Sequence, residues 1–205
     1  MICIVDYGVG NIQAFLNLFK RLGIKAGRAS TKKNLSLATH LILPGVGHFD
    51  HAMKKLNNSG IRAPLEDLVL GSKVPLLGIC VGMQMLAEES DEGTLPGLGW
   101  IPGKIRAFSN NPQCSKLPSP HMGWNTLNLK KSILFSVKEN EELPQFYFLH
   151  SYYFNAKDKS IVSATSCYGF DFDAVVSHNH IHGVQFHPEK SHKWGEELLI
   201  NFSKL

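Results

Sequence analysis

The segment Val74–Gln84, which reads VPLLGICVGMQ, gives the clearest indication of the fold. An uninterrupted apolar run leads into the motif Gly78-x-Cys80-x-Gly82, and a helix-favouring stretch follows from Val81 to Glu89. Apolar strands without polar alternation are typical of a parallel sheet that is covered on both faces. The segment therefore predicts a buried strand, a sharp turn at Cys80 and a helix.

The same order of elements recurs nearer the N-terminus. Ile2–Val5 is a short apolar run, and apolar residues at helical spacing follow from Ile12 until Gly23 stops the pattern. Leu41–Leu43 then leads into the glycine loop Pro44–Gly47. Strands that alternate with helices predict a three-layer α/β fold, with a mostly parallel central sheet, helices on both faces and an antiparallel edge.

The C-terminal half predicts further strands and a closing helix. The strands are expected at Phe146–Leu149, Ile161–Ser166, Asp173–Ser177 and Ile181–Phe186. The last two flank a tight turn at 178–180, which predicts an antiparallel hairpin at the sheet edge. Trp194, Leu198, Leu199 and Phe202 predict an amphipathic helix. Residues 90–120, rich in glycine and proline, are expected to form turns, and residues 1–205 are expected to form one domain.

Composition indicates a globular protein without a nucleic-acid partner. Of 205 residues, 43% are hydrophobic and 19% are charged, which suffices for a full core. Lysine and arginine number 21 against 17 acidic residues, a net charge of only +4. The one basic cluster, Lys20–Lys33, is interpreted as a solvated helix end and loop rather than a nucleic-acid site.

The expected location is cytoplasmic, with no membrane contact. No apolar run approaches the roughly 20 residues of a spanning helix, and the N-terminus lacks the basic and apolar regions of a signal peptide. The cysteines have no short paired spacing, so they are interpreted as free thiols in a reducing compartment: Cys3, Cys80, Cys114 and Cys167.

Cys80 is the candidate nucleophile. A residue at a strand-to-helix elbow adopts a strained backbone, and glycines two positions to either side allow neighbouring chain to pass closely. The helix N-terminus also favours thiolate over thiol. The alternative is a buried core cysteine, which the symmetric glycines make the weaker interpretation.

The candidate base and its orienting group follow the strand Gly183–Phe186. In His187-Pro188-Glu189, residues two apart in extended chain project to the same side, and Pro188 keeps His187 out of the helical region. Glu189 can then fix the tautomer of His187 and stabilise its protonated form.

An acyl-transfer site also needs donors for an oxyanion. The backbone N–H of Val81 and an N–H of the Pro44–Gly47 loop, assigned to Gly47, are the candidates. Both lie at the carboxyl edge of the sheet, where open α/β folds bind ligands.

Neither a cofactor nor a metal is predicted. Gly8-Val9-Gly10 lacks the third glycine of a dinucleotide fingerprint. His178, His180 and His182 alternate, but the turn between them would point them in different directions, and carboxylate or cysteine companions are missing.

Six segments in one order resemble class I (triad) glutamine amidotransferases, and in particular the glutaminase subunits of imidazole glycerol phosphate synthases. They are Asp6-Tyr7-Gly8-x-Gly10-Asn11, Pro44–Phe49, Gly78–Gln84, Pro120–Asn125, His150-Ser151-Tyr152 and Gln185–Ser191. The resemblance implies that the chain hydrolyses glutamine and delivers ammonia to a (β/α)₈-barrel cyclase subunit in histidine biosynthesis.

The resemblance also implies residue roles. Cys80, His187 and Glu189 would form the triad, and Asn11, Tyr147 and Lys190 would meet the cyclase. The amino-acid end of glutamine would be held by Gln84, Glu92 and the backbone of Ser151 and Tyr152.

Departures from that family leave the ammonia acceptor open. Val81 stands where the family has leucine, and Ser191–Gly195 looks more like paralogues that supply ammonia for amidination of an acetamido sugar in surface-polysaccharide biosynthesis. Two further hypotheses are a stand-alone cysteine hydrolase of similar fold and a catalytically silent binding subunit. The intact triad argues against the silent subunit, and the segment Pro120–Asn125 argues against the hydrolase.

Overall fold

The computed structural model describes residues 1–130, 133–135 and 142–205. Its strands are β1 Ile2–Val5, β2 Ala26–Ala29, β3 His40–Gly45, β4 Leu76–Cys80, β5 Glu89–Ser90, β6 Gly103–Ala107, β7 His121–Thr126, β8 Asn128–Leu129, β9 Gln145–His150, β10 Tyr152–Ala156, β11 Val162–Cys167, β12 Asp171–His178 and β13 Ile181–Val184. Its helices are α1 Ile12–Arg21, α2 Lys32–Leu35, α3 Phe49–Asn58, α4 Arg62–Glu66, α5 Val81–Gln84 and α6 His192–Phe202.

A large sheet organises the chain in the order β2-β1-β3-β4-β13-β12-β10-β6-β5. The strands from β2 to β13 pair in parallel, and β13, β12, β10 and β6 pair antiparallel. In register, Gly45 lies beside Cys80, so the glycine loop and the Cys80 elbow leave the sheet side by side. The predicted α/β class, with a mostly parallel central sheet, helices and an antiparallel edge, is confirmed.

The C-terminal hairpin forms as predicted, but its predicted place at the sheet edge is wrong. β12 and β13 pair antiparallel around a two-residue turn. β13 also pairs with β4 in parallel, and β12 pairs with β10 and β11. The hairpin thus lies inside the sheet, because both strands are buried hydrophobic segments that need neighbours on each side.

The predicted helix from Val81 to Glu89 is wrong in length, since α5 ends at Gln84. The carbonyls that would continue the helix bond elsewhere: those of Met85 and Leu86 accept hydrogen bonds from Leu98 and Ile101. The glycine- and proline-rich stretch after residue 90 therefore folds back onto this segment. The same region contains the strand β6, where the sequence predicted only turns.

The first and last long helices match their predictions. α1 begins after Asn11, buries Ile12, Phe15 and Phe19, and stops at Gly23, which has a φ of +69°. α6 buries Leu198, Leu199 and Phe202 completely. Within the described residues, no helix is long and apolar enough to cross a bilayer.

A separate two-stranded sheet pairs β7 with β9, and the sequence predicted only the second of these strands. Cross-strand partners alternate between two faces. The His121–His150 pair lies on the inner, buried face, and the Met122–Leu149 pair lies on the outer, exposed face. This small sheet connects a solvent-facing surface with the interior beside Cys80.

Candidate active site

The Cys80 elbow has the strained backbone that its glycines predict. Cys80 has a φ of +55°, which an L-residue rarely adopts, and it is the last residue of β4. A Cβ at Gly82 would lie 1.9 Å from the carbonyl oxygen of Leu43, and one at Gly78 would lie 2.8 Å from the carbonyl oxygen of Gly82. Only glycine fits at both positions, so the strand β3 and the helix α5 can approach closely.

His187 and Glu189 lie side by side, both buried. Nδ1 of His187 is 2.9 Å from Oε1 of Glu189, which leaves Nε2 as the nitrogen available for chemistry. The backbone N–H of His187 donates to the carbonyl of Tyr147. Its carbonyl accepts a hydrogen bond from the Ser191 hydroxyl at 2.6 Å. The turn is therefore held from both sides.

The electrostatics of His187 favour its charged form. Burial by itself lowers the pKa of His187. The hydrogen bond and charge of the Cys80 side chain, followed by those of Glu189, outweigh burial and raise this pKa to about 10. A positive charge on His187 stabilises negative charge on the neighbouring sulfur, which is the arrangement expected of an activated cysteine nucleophile.

Cys80 and His187 open onto one cavity of about 170 Å³. Its walls include most of the residues that the sequence singled out for substrate and oxyanion binding. The lining residues are Val46, Gly47, Cys80, Val81, Gln84, Leu149, His150, Ser151, Tyr152, His187 and Lys190.

The oxyanion candidates Gly47 and Val81 face this cavity from two elements. Gly47 has a φ of +82° with open space around it, whereas a Cβ at Gly45 would lie 2.4 Å from the backbone nitrogen of Gly82. The hydroxyl of buried Tyr7 donates to the carbonyl of Pro44 at 2.8 Å. The start of the loop is thus fixed, whereas Gly47 at its end has open space where a Cβ would lie.

Gln84 lies one turn after Cys80 and is buried. Its Nε2 donates to the carbonyl of Tyr152 and to Oε1 of Gln185, both at 3.2 Å. Nε2 of Gln185 in turn lies 3.9 Å from the Cys80 sulfur. The structure thus brings Gln84, Ser151 and Tyr152 to the same wall of the cavity as the candidate nucleophile.

Glu92 is placed apart from these residues and does not line the cavity. Its Oε2 accepts a hydrogen bond from the backbone N–H of Phe49 at 2.8 Å, at the start of α3. Because α3 follows the glycine loop directly, Glu92 braces that loop from behind. Its negative charge also lies near enough to Tyr152 to contribute to the raised pKa of that phenol, after burial.

Two of the three residues assigned to a partner surface are neighbours. The ammonium group of Lys190 lies 5.7 Å from the ring centre of Tyr147. Asn11 is exposed and caps α1, accepting a hydrogen bond from the backbone N–H of Ala14. α1 contacts the turn that carries Lys190.

Sequence reasoning missed part of this surface and part of the site. Met122 and Trp124 are 65% and 48% exposed on the outer face of the β7–β9 sheet. Their apolar side chains alternate with the polar His121 and Asn125, a pattern that could have indicated a strand with an apolar outer face. Gln185 stands in one of the six resembling segments, but its position beside Gln84 and the Cys80 sulfur was not predicted.

Two of the three alternating histidines, His180 and His182, have separate hydrogen-bond partners. Nε2 of His180 lies 2.7 Å from the carbonyl oxygen of Val69, and Nδ1 of His182 lies 3.0 Å from the Ser177 hydroxyl. In the described ranges, no three histidine, cysteine, aspartate or glutamate side chains are grouped as metal ligands would be.

Comparisons with known proteins show the family to which the chain belongs. Residues 3–204 match the family model of class-I glutamine amidotransferases. The chain is 54% identical to the imidazole glycerol phosphate synthase subunit HisH of Bdellovibrio bacteriovorus and 47% identical to that of Leptospira interrogans, over the full length of each chain.

Solved structures share the fold. A crystal structure described as a glutamine amidotransferase superposes with a TM-score of 0.75 at 21% identity, covering 99% of this chain and 97% of the other. The family model matches nearly every residue, and a cysteine and a histidine line one cavity with a glutamate bonded to that histidine, so this chain belongs to the class-I glutamine amidotransferases.

Proposed function

We propose that this chain is the glutaminase subunit of an imidazole glycerol phosphate synthase and acts in histidine biosynthesis. The observation that carries the proposal is the convergence of Cys80 with the buried His187–Glu189 pair on a cavity that Gly47 and Val81 also line. The full-length relatives named as this synthase subunit support the choice of pathway. The active unit is residues 1–205, as one catalytic domain.

The geometry supports a two-step acyl transfer. The Cys80 thiolate attacks the side-chain carboxamide carbon of glutamine, and backbone N–H groups at Val81 and Gly47 hold the resulting oxyanion. The C–N bond breaks as Nε2 of His187 gives its proton to the departing ammonia. A thioester between Cys80 and the glutamyl group remains.

Hydrolysis of the thioester completes the cycle. His187 takes a proton from water, the hydroxide adds to the thioester carbon, and the C–S bond breaks. Glutamate leaves, and Cys80 returns as the thiolate beside the imidazolium. Glu189 acts throughout by stabilising the positive charge on His187 through the bond at Nδ1.

Ammonia must reach its acceptor before it is protonated by water. Near pH 7 most free ammonia is ammonium, which cannot act as a nucleophile. The proposed partner is a (β/α)₈-barrel cyclase subunit. It would dock on the exposed apolar face formed by Met122, Trp124 and Leu149, together with Tyr147 and Lys190. The proposal includes a cytoplasmic location, where the Cys80 thiol stays reduced.

The proposal is tested by measuring synthesis in a complex reconstituted from this chain and the cyclase. Cys80→Ala is expected to abolish glutamine-dependent synthesis and to leave synthesis driven by ammonium salts intact, because only the ammonia source is lost. Loss of both activities would count against a two-subunit arrangement. His187→Ala is expected to show the same split, and near-normal glutamine turnover in that variant would remove His187 from the triad.

The sugar-amidination hypothesis keeps the same glutamine chemistry and differs in the acceptor. The relatives at 40–54% identity carry the name of the histidine-pathway subunit, so the comparisons do not favour it. Stimulation of glutamine hydrolysis only by an acetamido-sugar system would move the assignment there. Full activity without any partner would favour a stand-alone hydrolase.

A further inference from the structure

A chain of buried amide and imidazole side chains runs from the cavity wall, which Gln84 and His150 line, into the interior. We call it the amide–imidazole chain, and its members are Gln185, Gln84, His150, His121 and Asn125. The first four are at most 6% exposed, and each is hydrogen-bonded to the next directly or through the carbonyl of Tyr152. The resemblance assigned a role to only one of them, Gln84.

The directions of the bonds that the two histidines make follow from the Asn125 end. Oδ1 of Asn125 accepts from the backbone N–H of Thr126 at 2.8 Å, so the amide nitrogen is the donor on the other side. That nitrogen lies 2.8 Å from the carbonyl oxygen of Cys167 and 3.2 Å from Nε2 of His121. Nε2 of His121 is therefore an acceptor, and its ring proton must be on Nδ1.

The same reasoning fixes His150. Nδ1 of His121 donates across 2.9 Å to Nε2 of His150, so the proton of His150 is also on Nδ1. This proton points to the carbonyl of Tyr152, 2.7 Å away. A charge on either ring would place two N–H groups opposite each other, so both rings are neutral.

Burial also favours the neutral form of both rings. It lowers the pKa of His121 to about 4. Burial, followed by the neighbouring His121, lowers the pKa of His150 to about 3. His121 is also immobilised between the rings of Phe148 and Tyr168, whose centroids lie 4.9 and 4.2 Å away in nearly parallel planes.

The chain ends by orienting Gln84. The Tyr152 carbonyl, already bonded to His150, accepts a second hydrogen bond from Nε2 of Gln84. The other hydrogen of this amide goes to Oε1 of Gln185. With both amide hydrogens engaged, Oε1 of Gln84 is left as the atom that can accept from a ligand in the cavity.

We propose that His121 and His150 are positioning residues: through the Tyr152 carbonyl they hold the Gln84 amide with its oxygen available to the α-ammonium group of glutamine. This assignment rests on the proposed glutaminase function. It gives the histidine pair a role in substrate affinity rather than in proton transfer, because neither ring can take up a proton without breaking the chain.

Three variants test the role by kinetics in the reconstituted complex. His150→Phe keeps the aromatic volume and removes both nitrogens, and it is expected to raise the glutamine KM about three- to tenfold with kcat within about twofold of wild type. His121→Phe, whose site does not line the cavity, is expected to raise KM about two- to fivefold.

His150→Asn is the conservative counterpart, because its amide N–H lies near the position of Nδ1. It is expected to bring KM back to within about twofold of wild type. A merely structural role predicts the opposite order, since asparagine leaves a void among the surrounding rings and phenylalanine fills it. Equal KM values for His150→Asn and His150→Phe, or an unchanged KM in His121→Phe, would overturn the proposal.

A second readout is independent of glutaminase activity. In the chain labelled with ¹⁵N-histidine, NMR of the ring nitrogens at pH 7 is expected to show His121 and His150 neutral and protonated on Nδ1, and the signals of His150 are expected to shift in His121→Phe. Protonation of either ring on Nε2 would overturn the proposal. Absence of glutamine hydrolysis in the wild-type complex, with these tautomers present, would instead count against the proposed function.

Discussion

Replacing Gly82 by alanine tests the packing that supports the oxyanion loop. The new Cβ would lie 1.9 Å from the carbonyl oxygen of Leu43 and 2.9 Å from its carbon, both of them backbone atoms of β3. Separation to the 3.0 Å lower limit of such contacts requires a shift of about 1 Å. β3 is paired on both sides, so it cannot yield without moving its neighbours.

The expected cost is about 3 kcal/mol, at the upper end of overpacking effects, because no flexible side chain can absorb the clash. For a chain of this size that lowers Tm by about 6–12 °C. Displacement of Gly47 from the cavity is expected to lower the glutaminase kcat about a hundredfold or more, as for loss of one oxyanion donor.

The measurements are thermal unfolding by circular dichroism and glutamate release in the reconstituted complex. Gly71→Ala is the matched control, because a Cβ there meets nothing within 4 Å, and its Tm is expected to stay within about 2 °C of wild type. A Gly82→Ala chain with the Tm and turnover of the wild type would refute the reasoning.

Three other predictions concern affinity, pH and regulation. Gln84→Ala is expected to raise the glutamine KM by the equivalent of one or two hydrogen bonds, about 0.5–1.5 kcal/mol each, and a change confined to kcat would contradict a substrate-holding role. The pKa of His187 is raised to about 10, so the stability that its charge contributes is complete below about pH 6.5 and is lost as pH rises through about 10. The Tm of the wild type is therefore expected to exceed that of Cys80→Ala by less at pH 10 than at pH 7. A Tm difference that does not change with pH would exclude the Cys80–His187 interaction as its cause. Glutamine hydrolysis should be slow in the isolated chain and rise about a hundred- to a thousandfold when the cyclase carries its nucleotide ligand, because rotation of one peptide beside Gly47 supplies or withdraws an oxyanion donor. Equal rates of hydrolysis by the isolated chain, by the complex with cyclase and by the complex with its ligand would reject this switch.

The local parts of the site were predictable from sequence because each depends on neighbouring residues. The elbow at Cys80 needs glycines at fixed spacing, and His187 and Glu189 lie together through the extended chain between them. The strands β1, β3 and β4 are likewise visible as apolar runs, whereas β2, which reads AGRA, was not predicted. In each case the residues that form the recognisable pattern are also the residues that form the local structure.

The remaining features depend on contacts between distant parts of the chain. α5 is short because backbone N–H groups of residues 97–101 donate to the carbonyls of Met85–Glu88, which no pattern within Val81–Glu89 reveals. The central place of the β12–β13 hairpin depends on pairing with β4, about a hundred residues earlier. The amide–imidazole chain joins five separate positions, so its residue types had no interpretable spacing.

The side chains of β7 and β9 alternate between two faces, and substitutions on the two faces have different consequences for the protein. Side chains on one face, His121 and His150 among them, are hydrogen-bonded within the interior, so a change at one of them affects the other. On the other face, Met122 and Trp124 are exposed and are not among the residues that line the catalytic cavity. A lineage could therefore exchange one ammonia-consuming partner for another by substituting alternate residues of two short strands, without disturbing the chemistry that releases the ammonia.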